Sequence, residues 1–303
     1  MAIPAPPFTN AEILRAKELI DMALDEDLGT AGDITSLSTI PEASEAHAKF
    51  IARRDGVISG LPIVGLIAER FQPGIVWKPY LVDGDRVTPG EAIGEVSGQT
   101  RSILALERIS LNFLQHLSGI ATMTSRFVEK THGTRARVLD TRKTIPGWRV
   151  LEKYAVRCGG GDNHRMGLHD AILIKDNHLA ALATHGCIRP ITEAIQRARG
   201  FAGAKVFLTV EIDRLDQLAE ALEAGPDCIL LDNFTPAMAA KAVETRDEMA
   251  PKVLLEISGG LNLETIGEYA RLNVDRLSVG AITHSAAALD IALDFADQSP
   301  DII

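Results

Sequence analysis

The sequence has few of the features that mark exported, metal-binding or membrane proteins. Its 303 residues include only three cysteines, Cys158, Cys187 and Cys228, which are odd in number and show no metal-ligand spacing. The longest apolar run, from Val57 to Ala68, is too short to span a bilayer. The N-terminus lacks a basic start followed by an apolar core, so no export signal is expected. These absences favour a reduced, cytoplasmic protein outside the membrane.

An excess of positive charge is also missing. The formal net charge is −10 and the sequence pI is about 5.3, which argues against a nucleic-acid or anionic-membrane surface. No Walker loop, no GxGxxG after a strand, no HExxH metal pair and no Ser-His-Asp order is present. Apolar residues make up 46% and charged residues 24%, an ordinary globular composition. The length allows one large domain or two smaller ones.

One cation-rich stretch, residues 140–178, stands out from this acidic background. It carries seven Lys/Arg and three His against five Asp/Glu. Two apolar, strand-like runs frame it at residues 136–140 and 171–175, and three glycines at 159–161 precede Asn163, His164 and Arg165. Glycines permit backbone conformations and close ligand approach that side chains would block. The stretch therefore predicts a site for a small anionic ligand.

The first 131 residues predict helices and a hairpin-rich sheet. In order, the pattern indicates a helix at 9–25 capped by Thr9 or Asn10, a turn-rich linker at 26–36, strands within 46–60 and 75–100, and a helix at 101–131 interrupted at Ser118-Gly119. Arg108 lies on that long helix. By pattern alone, Arg108 is interpreted as a solvated helix charge.

From Arg137 onward, the sequence alternates between strand-like runs and helical patterns. Strand-like runs end at Asp140, Lys175, Glu211, Asp232, Glu256 and Val279, and helical patterns cover 214–224, 236–249, 262–271 and 285–297. Apolar runs that alternate with amphipathic helices predict parallel βαβ units. At least six such units favour a closed or nearly closed α/β barrel, whose active site lies at the C-terminal ends of the strands.

The residues at those strand ends are chemically complementary. The cations are Arg142, Lys143, Arg165 and Lys175 with His164 beside them, the anions are Glu211 and Asp232, and glycine turns follow the last two strands at Ser258-Gly259-Gly260 and Val279-Gly280-Ala281. Such turns favour phosphate. Carboxylates near phosphate suggest Mg²⁺, and surplus cations suggest a second ligand that carries carboxylates. Taken singly, each residue also fits a surface charge, a helix cap, a satisfied core histidine or an ordinary turn.

Six motifs together resemble one known family. DTRKTIPG (140–147), EKYAVRCGGGDNHR (152–165), LIKDNH (173–178), ILLDNF (229–234), LEISGG (255–260) and LSVGAITHS (277–285) are similar to quinolinate phosphoribosyltransferase. The similarity extends to EDLGTAGDITS and ERISLNFLQHLSGIAT in the N-terminal half. It implies an N-terminal α/β sandwich domain over residues 1–118, with the C-terminal tail 286–303 packed on it. An open, seven-stranded α/β barrel is implied over residues 119–285, one strand more than the pattern predicts.

The resemblance also implies a role for each site residue. Lys143, Glu211 and Asp232 would be catalytic, and Glu211 and Asp232 would hold Mg²⁺, partly through water. Quinolinate would bind Arg108, Arg142, His164, Arg165 and Lys175. The phosphoribosyl group would bind Thr141, Lys143, Ser258, Gly259, Gly260, Val279, Gly280 and Ala281.

The implied reaction transfers phosphoribosyl from phosphoribosyl pyrophosphate to quinolinate with loss of CO₂, giving nicotinate mononucleotide in de novo NAD synthesis. No organic cofactor is implied, only Mg²⁺ bound with phosphoribosyl pyrophosphate. The resemblance further implies a homodimer in which Arg108 enters the neighbour's site, with higher assembly left open. Two alternatives remain at this point: a related phosphoribosyltransferase acting on another acid, such as the molybdenum-locus paralogues, and a non-catalytic protein that binds a phosphometabolite.

Overall fold

The chain forms two compact units in this computed structural model, which describes residues 6–71, 74–184 and 186–295. The first unit contains residues up to Ser125, residues 144–160 and those from Thr283 onward. The second contains residues 126–143 and 161–282. The predicted domain boundary between residues 118 and 119 stays a prediction.

The first unit is a mixed α/β arrangement. Its elements are α1 (Asn10–Leu28), α2 (Ile34–Thr39), β1 (Glu45–Ala52), β2 (Gly56–Val57), α3 (Leu61–Arg70), β3 (Ile75–Pro79), β4 (Arg86–Val87), β5 (Ala92–Gln99), α4 (Thr100–Lys130, which continues into the second unit) and, later in the chain, α5 (Arg149–Cys158). Thr9 caps α1 in a capping box with Glu12, which confirms the predicted helix start. The turn-rich linker predicted at 26–36 instead contains the end of α1 and the start of α2.

The last described strand overturns one sequence prediction. The helical pattern at 285–297 contains β12 (Ile291–Phe295), and residues 296–303 lie outside the described residues. β12 pairs antiparallel with β1, giving a four-stranded sheet in the order β12-β1-β5-β3. The alanines of this segment favour a helix only weakly. The backbone N–H and C=O groups at the edge of β1 can form hydrogen bonds with it, and this pairing outweighs the local helix propensity.

The predicted break at Ser118-Gly119 is also wrong, because α4 runs on without interruption. A Cβ at Gly119 would lie 2.3 Å from the main-chain oxygen of Ala287. The glycine therefore permits a close approach of two backbones inside the first unit and does not end the helix.

The second unit is a parallel sheet with helices between its strands. After the C-terminal part of α4 come β6 (Arg137–Leu139), β7 (Ile172–Ile174), α6 (Asp176–Thr184), α7 (Pro190–Ala202), β8 (Leu208–Ile212), a 3₁₀ turn (Leu215–Gln217), α8 (Leu218–Ala224), β9 (Cys228–Asp232), α9 (Pro236–Met249), β10 (Leu254–Ser258), α10 (Ile266–Ala270), β11 (Arg276–Ser278) and α11 (Ala281–His284). The strand order is β6-β11-β10-β9-β8-β7. This open α/β barrel confirms the predicted fold class and all six predicted strands.

A seventh strand, which the resemblance implied, is reduced to one bridge in the described part of the second unit. Leu139 and Asp162 form an isolated parallel bridge beyond β6. Asp162 N donates to Val138 O at 2.8 Å, and Asp140 N donates to Asp162 O at 3.2 Å. This short pairing fixes the start of the cation-rich segment at the carboxyl end of β6. Across all described residues, no helix is long and apolar enough to cross a membrane.

Candidate active site

The charged and polar side chains of β8 to β11 lie on one face of the parallel sheet, called the polar face below, and the other face is apolar. Glu211 pairs with Leu230, Leu230 with Glu256, and Glu256 with Arg276. Paired residues on neighbouring strands point to the same face, and so do residues two apart on one strand. The shared face therefore holds Thr209, Glu211, Asp232, Glu256, Ser258, Arg276 and Ser278, together with Cys228, Leu230 and Leu254. The opposite face holds Leu208, Val210, Ile212, Ile229, Leu231, Leu255, Ile257 and Leu277, all buried.

The cation-rich segment is anchored by a buried carboxylate at the end of β6. Asp140 is fully buried and accepts hydrogen bonds from His164 N at 2.9 Å and from Asn163 Nδ2 at 2.6 Å. Because Asp140 directly follows β6, these bonds hold residues 163–165 at the carboxyl end of the sheet. This supports the prediction that the segment belongs to the strand-end constellation.

Arg165 lies close to a second arginine. Its Nη1 donates to Ala171 O at 3.2 Å. Partial burial lowers the pKa of Arg165, and the positive charge of Arg142 lowers it further. Two neighbouring guanidinium groups repel each other, so a ligand with two carboxylates would relieve the repulsion and bind through planar, bidentate contacts.

Glu211, on the polar face, forms an ion pair with Lys175. Lys175 Nζ lies 3.0 Å from Glu211 Oε2, which brings together two residues predicted from separate strands. Asp232 ends the next strand and accepts a hydrogen bond from Asn233 Nδ2 at 2.7 Å. Thr141 Oγ1 accepts a bond from Lys143 N at 3.1 Å, and the Lys143 side chain is exposed.

The glycine turn after β10 needs its glycines. Gly259 and Gly260 have φ angles of 92° and 64°. A Cβ at Gly259 would lie 2.1 Å from Asn233 Oδ1, and Asn233 N donates to Ser258 O at 2.9 Å. The turn is thus packed against the loop that follows β9, and a side chain at Gly259 would collide with that loop. The second predicted turn, Val279-Gly280-Ala281, directly follows β11.

Sequence reasoning missed the role of a buried glutamate beneath this rim. Glu256 is fully buried, with His164 Nε2 at 3.2 Å and Ser278 Oγ at 2.5 Å from Oε1, and Arg276 Nε at 3.5 Å from Oε2. Burial alone would raise its pKa, but hydrogen bonds from His164 and Ser278 and the positive charge of Arg276 lower the pKa below its usual value. The signal was a charged residue at an inward position of a strand whose other face is apolar.

Arg108 belongs to the first unit, where it is exposed on α4. The flanking residues Leu106 and Ile109 are buried, as the apolar pattern of the helix predicted. This placement leaves the Arg108 side chain directed to solvent in the single chain.

Family models match almost the whole chain. The model for the quinolinate phosphoribosyl transferase N-terminal domain matches residues 33–118, and the model for the C-terminal domain matches residues 120–294. The chain belongs to the quinolinate phosphoribosyltransferase family. The C-terminal match contains every site residue predicted from Thr141 to Ala281, and the N-terminal match contains Arg108.

Individual members of the family are similar over nearly their full lengths. The carboxylating nicotinate-nucleotide pyrophosphorylase of Mycobacterium leprae is 42% identical over 289 residues, covering 95% of this chain and 99% of its own. A probable enzyme of the same name from Bacillus subtilis is 42% identical over 286 residues, covering 93% of each. The crystal structure of NadC from Streptococcus pyogenes has a TM-score of 0.87 at 37% identity, covering 95% of this chain and 100% of its own.

Proposed function

We propose that this chain catalyses the quinolinate phosphoribosyltransferase reaction of de novo NAD synthesis. Quinolinate and phosphoribosyl pyrophosphate are converted into nicotinate mononucleotide, pyrophosphate and CO₂. The observation that carries the proposal is the family match over residues 33–118 and 120–294, which includes the complementary groups at the carboxyl ends of the sheet. The three cysteines, which are odd in number and show no metal-type spacing, support a cytoplasmic location.

The cationic groups hold the dicarboxylate. Arg142 and Arg165 bind its carboxylates, which neutralises their mutual repulsion. Lys175, which pairs with Glu211 at 3.0 Å, exchanges part of that contact for quinolinate. The ligand then lies with its pyridine nitrogen directed at C1 of the ribose.

The chemical step is a substitution at C1 of the ribose. The pyridine nitrogen forms a bond to C1 as the bond from C1 to pyrophosphate breaks, and the bonding electrons leave with pyrophosphate. Glu211 and Asp232 on the polar face stabilise positive charge that develops on the ribosyl carbon, and Lys143 offsets negative charge on the leaving group. The N-ribosylated ring is cationic, so it accepts the electron pair released as the 2-carboxylate departs as CO₂, and C2 then takes a proton.

The phosphoribosyl group is held by the two glycine turns. Backbone N–H groups of Gly259, Gly260 and Gly280 donate to the 5′-phosphate, with Ser258, Val279 and Ala281 shaping the turns and Thr141 contacting the sugar phosphate beside Lys143. Support comes from the positive φ angles of Gly259 and Gly260 and from the exclusion of a side chain at Gly259.

The acidic pair fits Mg²⁺ that arrives with its substrate. Glu211 and Asp232 supply two carboxylates on one face, and Mg²⁺ prefers one or two carboxylates plus phosphate oxygens and water. Among the described residues, no group of three or more His, Cys, Asp or Glu could hold a metal alone. When bound, Mg²⁺ would neutralise pyrophosphate charge. Calorimetry should detect firm Mg²⁺ binding only with phosphoribosyl pyrophosphate present; equally firm binding to the protein alone would contradict this.

The direct test of the function is an assay of paired product release. Quinolinate-dependent formation of pyrophosphate and CO₂ in equal amounts is the expected result. Nicotinate, which lacks the 2-carboxylate, is the matched control substrate and should give neither product at a comparable rate. Activity with nicotinate and none with quinolinate would assign the chain to a different phosphoribosyltransferase reaction. No activity with either substrate would favour a non-catalytic protein that binds a phosphometabolite.

Arg108 completes the site of a second subunit in a homodimer. Support comes from its exposure on α4 between buried apolar neighbours and from its place in the N-terminal family match. The test mixes inactive Arg108→Ala and Lys143→Ala proteins under conditions that exchange subunits. If Arg108 acts in trans, each mixed dimer has one intact site, and activity should recover to about a quarter of wild type, because a two-fold dimer repeats each contact reciprocally.

The control for this experiment is a mixture of each variant with itself, which should stay inactive. Subunit exchange is verified independently by mass-tagged chains. Verified exchange without recovery would place Arg108 in the site of its own chain.

A further inference from the structure

Glu256 is a buried charge in a strand that could have carried an apolar residue. Its paired neighbour on β9 is Leu230, which sits on the same face of the sheet. Burying a carboxylate is costly unless hydrogen bonds and opposite charge compensate it. Here Ser278 and His164 share Oε1, and Arg276 lies against Oε2. Such a fully compensated carboxylate orients the groups around it.

The group that Glu256 orients most directly is His164, whose two ring nitrogens are both occupied. Nε2 lies 3.2 Å from Glu256 Oε1, and Nδ1 accepts a hydrogen bond from Arg165 N at 2.7 Å. A ring nitrogen that accepts carries no proton, so the ring proton sits on Nε2 and faces Glu256.

We propose that Glu256 is a positioning residue that fixes Arg165 through His164. Ser278 and Arg276 fix the carboxylate of Glu256, which fixes the ring and tautomer of His164. The Nδ1 atom then fixes the main chain of Arg165, whose guanidinium is steadied by Ala171 O. This inference rests on the proposed function.

The arrangement opposes the electrostatic repulsion that acts on Arg165. Its guanidinium is partly buried and faces the like charge of Arg142. Before a ligand arrives, repulsion favours a displaced side chain, and a displacement of about 1 Å is enough to weaken bidentate binding severely. A fixed main chain and a fixed carbonyl contact keep the guanidinium in place until the dicarboxylate neutralises it.

The first test compares two substitutions at Glu256. Glu256→Gln keeps an Oε1 that accepts from Nε2 of His164 and from Ser278, whereas Glu256→Ala removes both bonds. Calorimetry should show quinolinate affinity lowered tenfold or more in Glu256→Ala and within threefold of wild type in Glu256→Gln. Affinity for phosphoribosyl pyrophosphate should change less than threefold in both. Equal losses for the two ligands, or no loss in Glu256→Ala, would overturn the proposal.

The second test asks whether the hydrogen bond from Arg165 N to Nδ1 of His164 carries the effect. Asparagine places its Oδ1 near the position of Nδ1 and can accept from Arg165 N, but it cannot reach the position of Nε2. His164→Asn should therefore retain more quinolinate affinity than His164→Ala, by threefold or more. Equal losses in the two variants would show that the bond to Nδ1 does not carry the effect and would reject the route through His164.

A double-mutant cycle with Arg165→Lys tests the proposed route. If Glu256 acts through Arg165, Glu256→Ala should cost less than threefold in the Arg165→Lys background, although it costs tenfold or more alone. Additive losses would contradict the route. If Glu256→Ala does not fold, Ser278→Ala takes its place in the cycle, because it removes a bond to the same oxygen. Wild-type protein that fails to bind quinolinate or release CO₂ would instead reject the proposed function.

Discussion

The charged side chains at the two ends of the parallel sheet have different kinds of partner. At the amino ends of the strands, arginines are matched to aspartates within the protein. At the carboxyl ends, Lys175 lies 3.0 Å from Glu211, and the pKa of Arg165 is lowered by burial and by the charge of Arg142. The first end matches its arginines to aspartates within the chain, whereas at the second end we propose that a bound ligand adds negative charge.

The amino end repeats one device twice. Arg199, near the end of α7, donates to Val206 O at 2.9 Å and to Asp227 Oδ2 at 2.8 Å, and the same oxygen accepts from Leu208 N at 2.7 Å. Each clamp ties the end of a helix to the next strand and to the strand after it.

The second copy is more deeply buried. Arg246, near the end of α9, donates to Val253 O at 3.0 Å and to Asp275 Oδ2 at 2.8 Å, and Leu255 N donates to that oxygen at 2.9 Å. Arg135 also contacts Asp275. Arg246 is 1% exposed, whereas the Arg199 side chain is 26% exposed. In α/β barrels, side chains at the amino ends of the strands serve stability, and those at the carboxyl ends serve the ligand.

The largest effect is expected from breaking the buried clamp. Arg246→Met leaves Asp275 without its main partner and should lower the free energy of unfolding by about 3–5 kcal/mol, as expected when one member of a buried ion pair is removed. Urea unfolding measures the loss. Arg199→Met is the matched control and should cost about 1 kcal/mol or less, since that pair is partly solvated. Equal losses at the two clamps would remove burial as the reason for the difference.

An effect of intermediate size is expected from substituting two glycines, Gly259 at the carboxyl ends of the strands and Gly225 at the amino ends. Gly259→Ala forces a side chain into a positive-φ turn and against Asn233, with about 1–3 kcal/mol of strain. The KM for phosphoribosyl pyrophosphate should rise at least tenfold, with a smaller change for quinolinate. Gly225, which ends α8 at the amino side of β9, has a φ of 68°, and no described atom lies within 4 Å of a Cβ built there. Gly225→Ala should reduce stability without raising either KM.

The smallest expected change in free energy falls entirely on binding. Arg165→Lys keeps the charge but loses the planar fork, so quinolinate affinity should fall about tenfold, which corresponds to about 1.4 kcal/mol. The free energy of unfolding should stay within about 0.5 kcal/mol of wild type, as for substitutions away from the core. Quinolinate affinity by calorimetry and urea unfolding are measured on the same preparation. A loss of stability without a loss of affinity would place Arg165 with the structural arginines.

The fold of the second unit was predictable because its strands are short, apolar and regularly spaced. β9 runs from Cys228 to Asp232 and α9 from Pro236 to Met249, as the periodicity predicted. The first unit was less predictable. Residues 291–295 form a strand only because β1 lies beside them, and no local pattern carries that information.

The site was predictable to the level of which strand ends meet, but not to the level of which groups support which. The strand-end positions of Lys175 and Glu211 indicated one rim, and their 3.0 Å contact agrees with that. Glu256 appeared only as another strand end. Its partners come from the segment after β6 and from β11, and a hydrogen-bond network of that kind is set by three-dimensional packing, which periodicity does not describe.

The pairing of β12 with β1 has a consequence for how the protein is made. Arg53 and Asp294 form an ion pair across 241 positions of sequence beside this ladder. On the ribosome, the sheet of the first unit therefore waits for its last strand until the whole second unit has been translated. Until then β1 has one side without its partner strand, and an open strand edge is a template for pairing with other chains. Newly synthesised chains should be most prone to aggregate in that interval, and faster release of the C-terminal segment should raise the yield of folded enzyme.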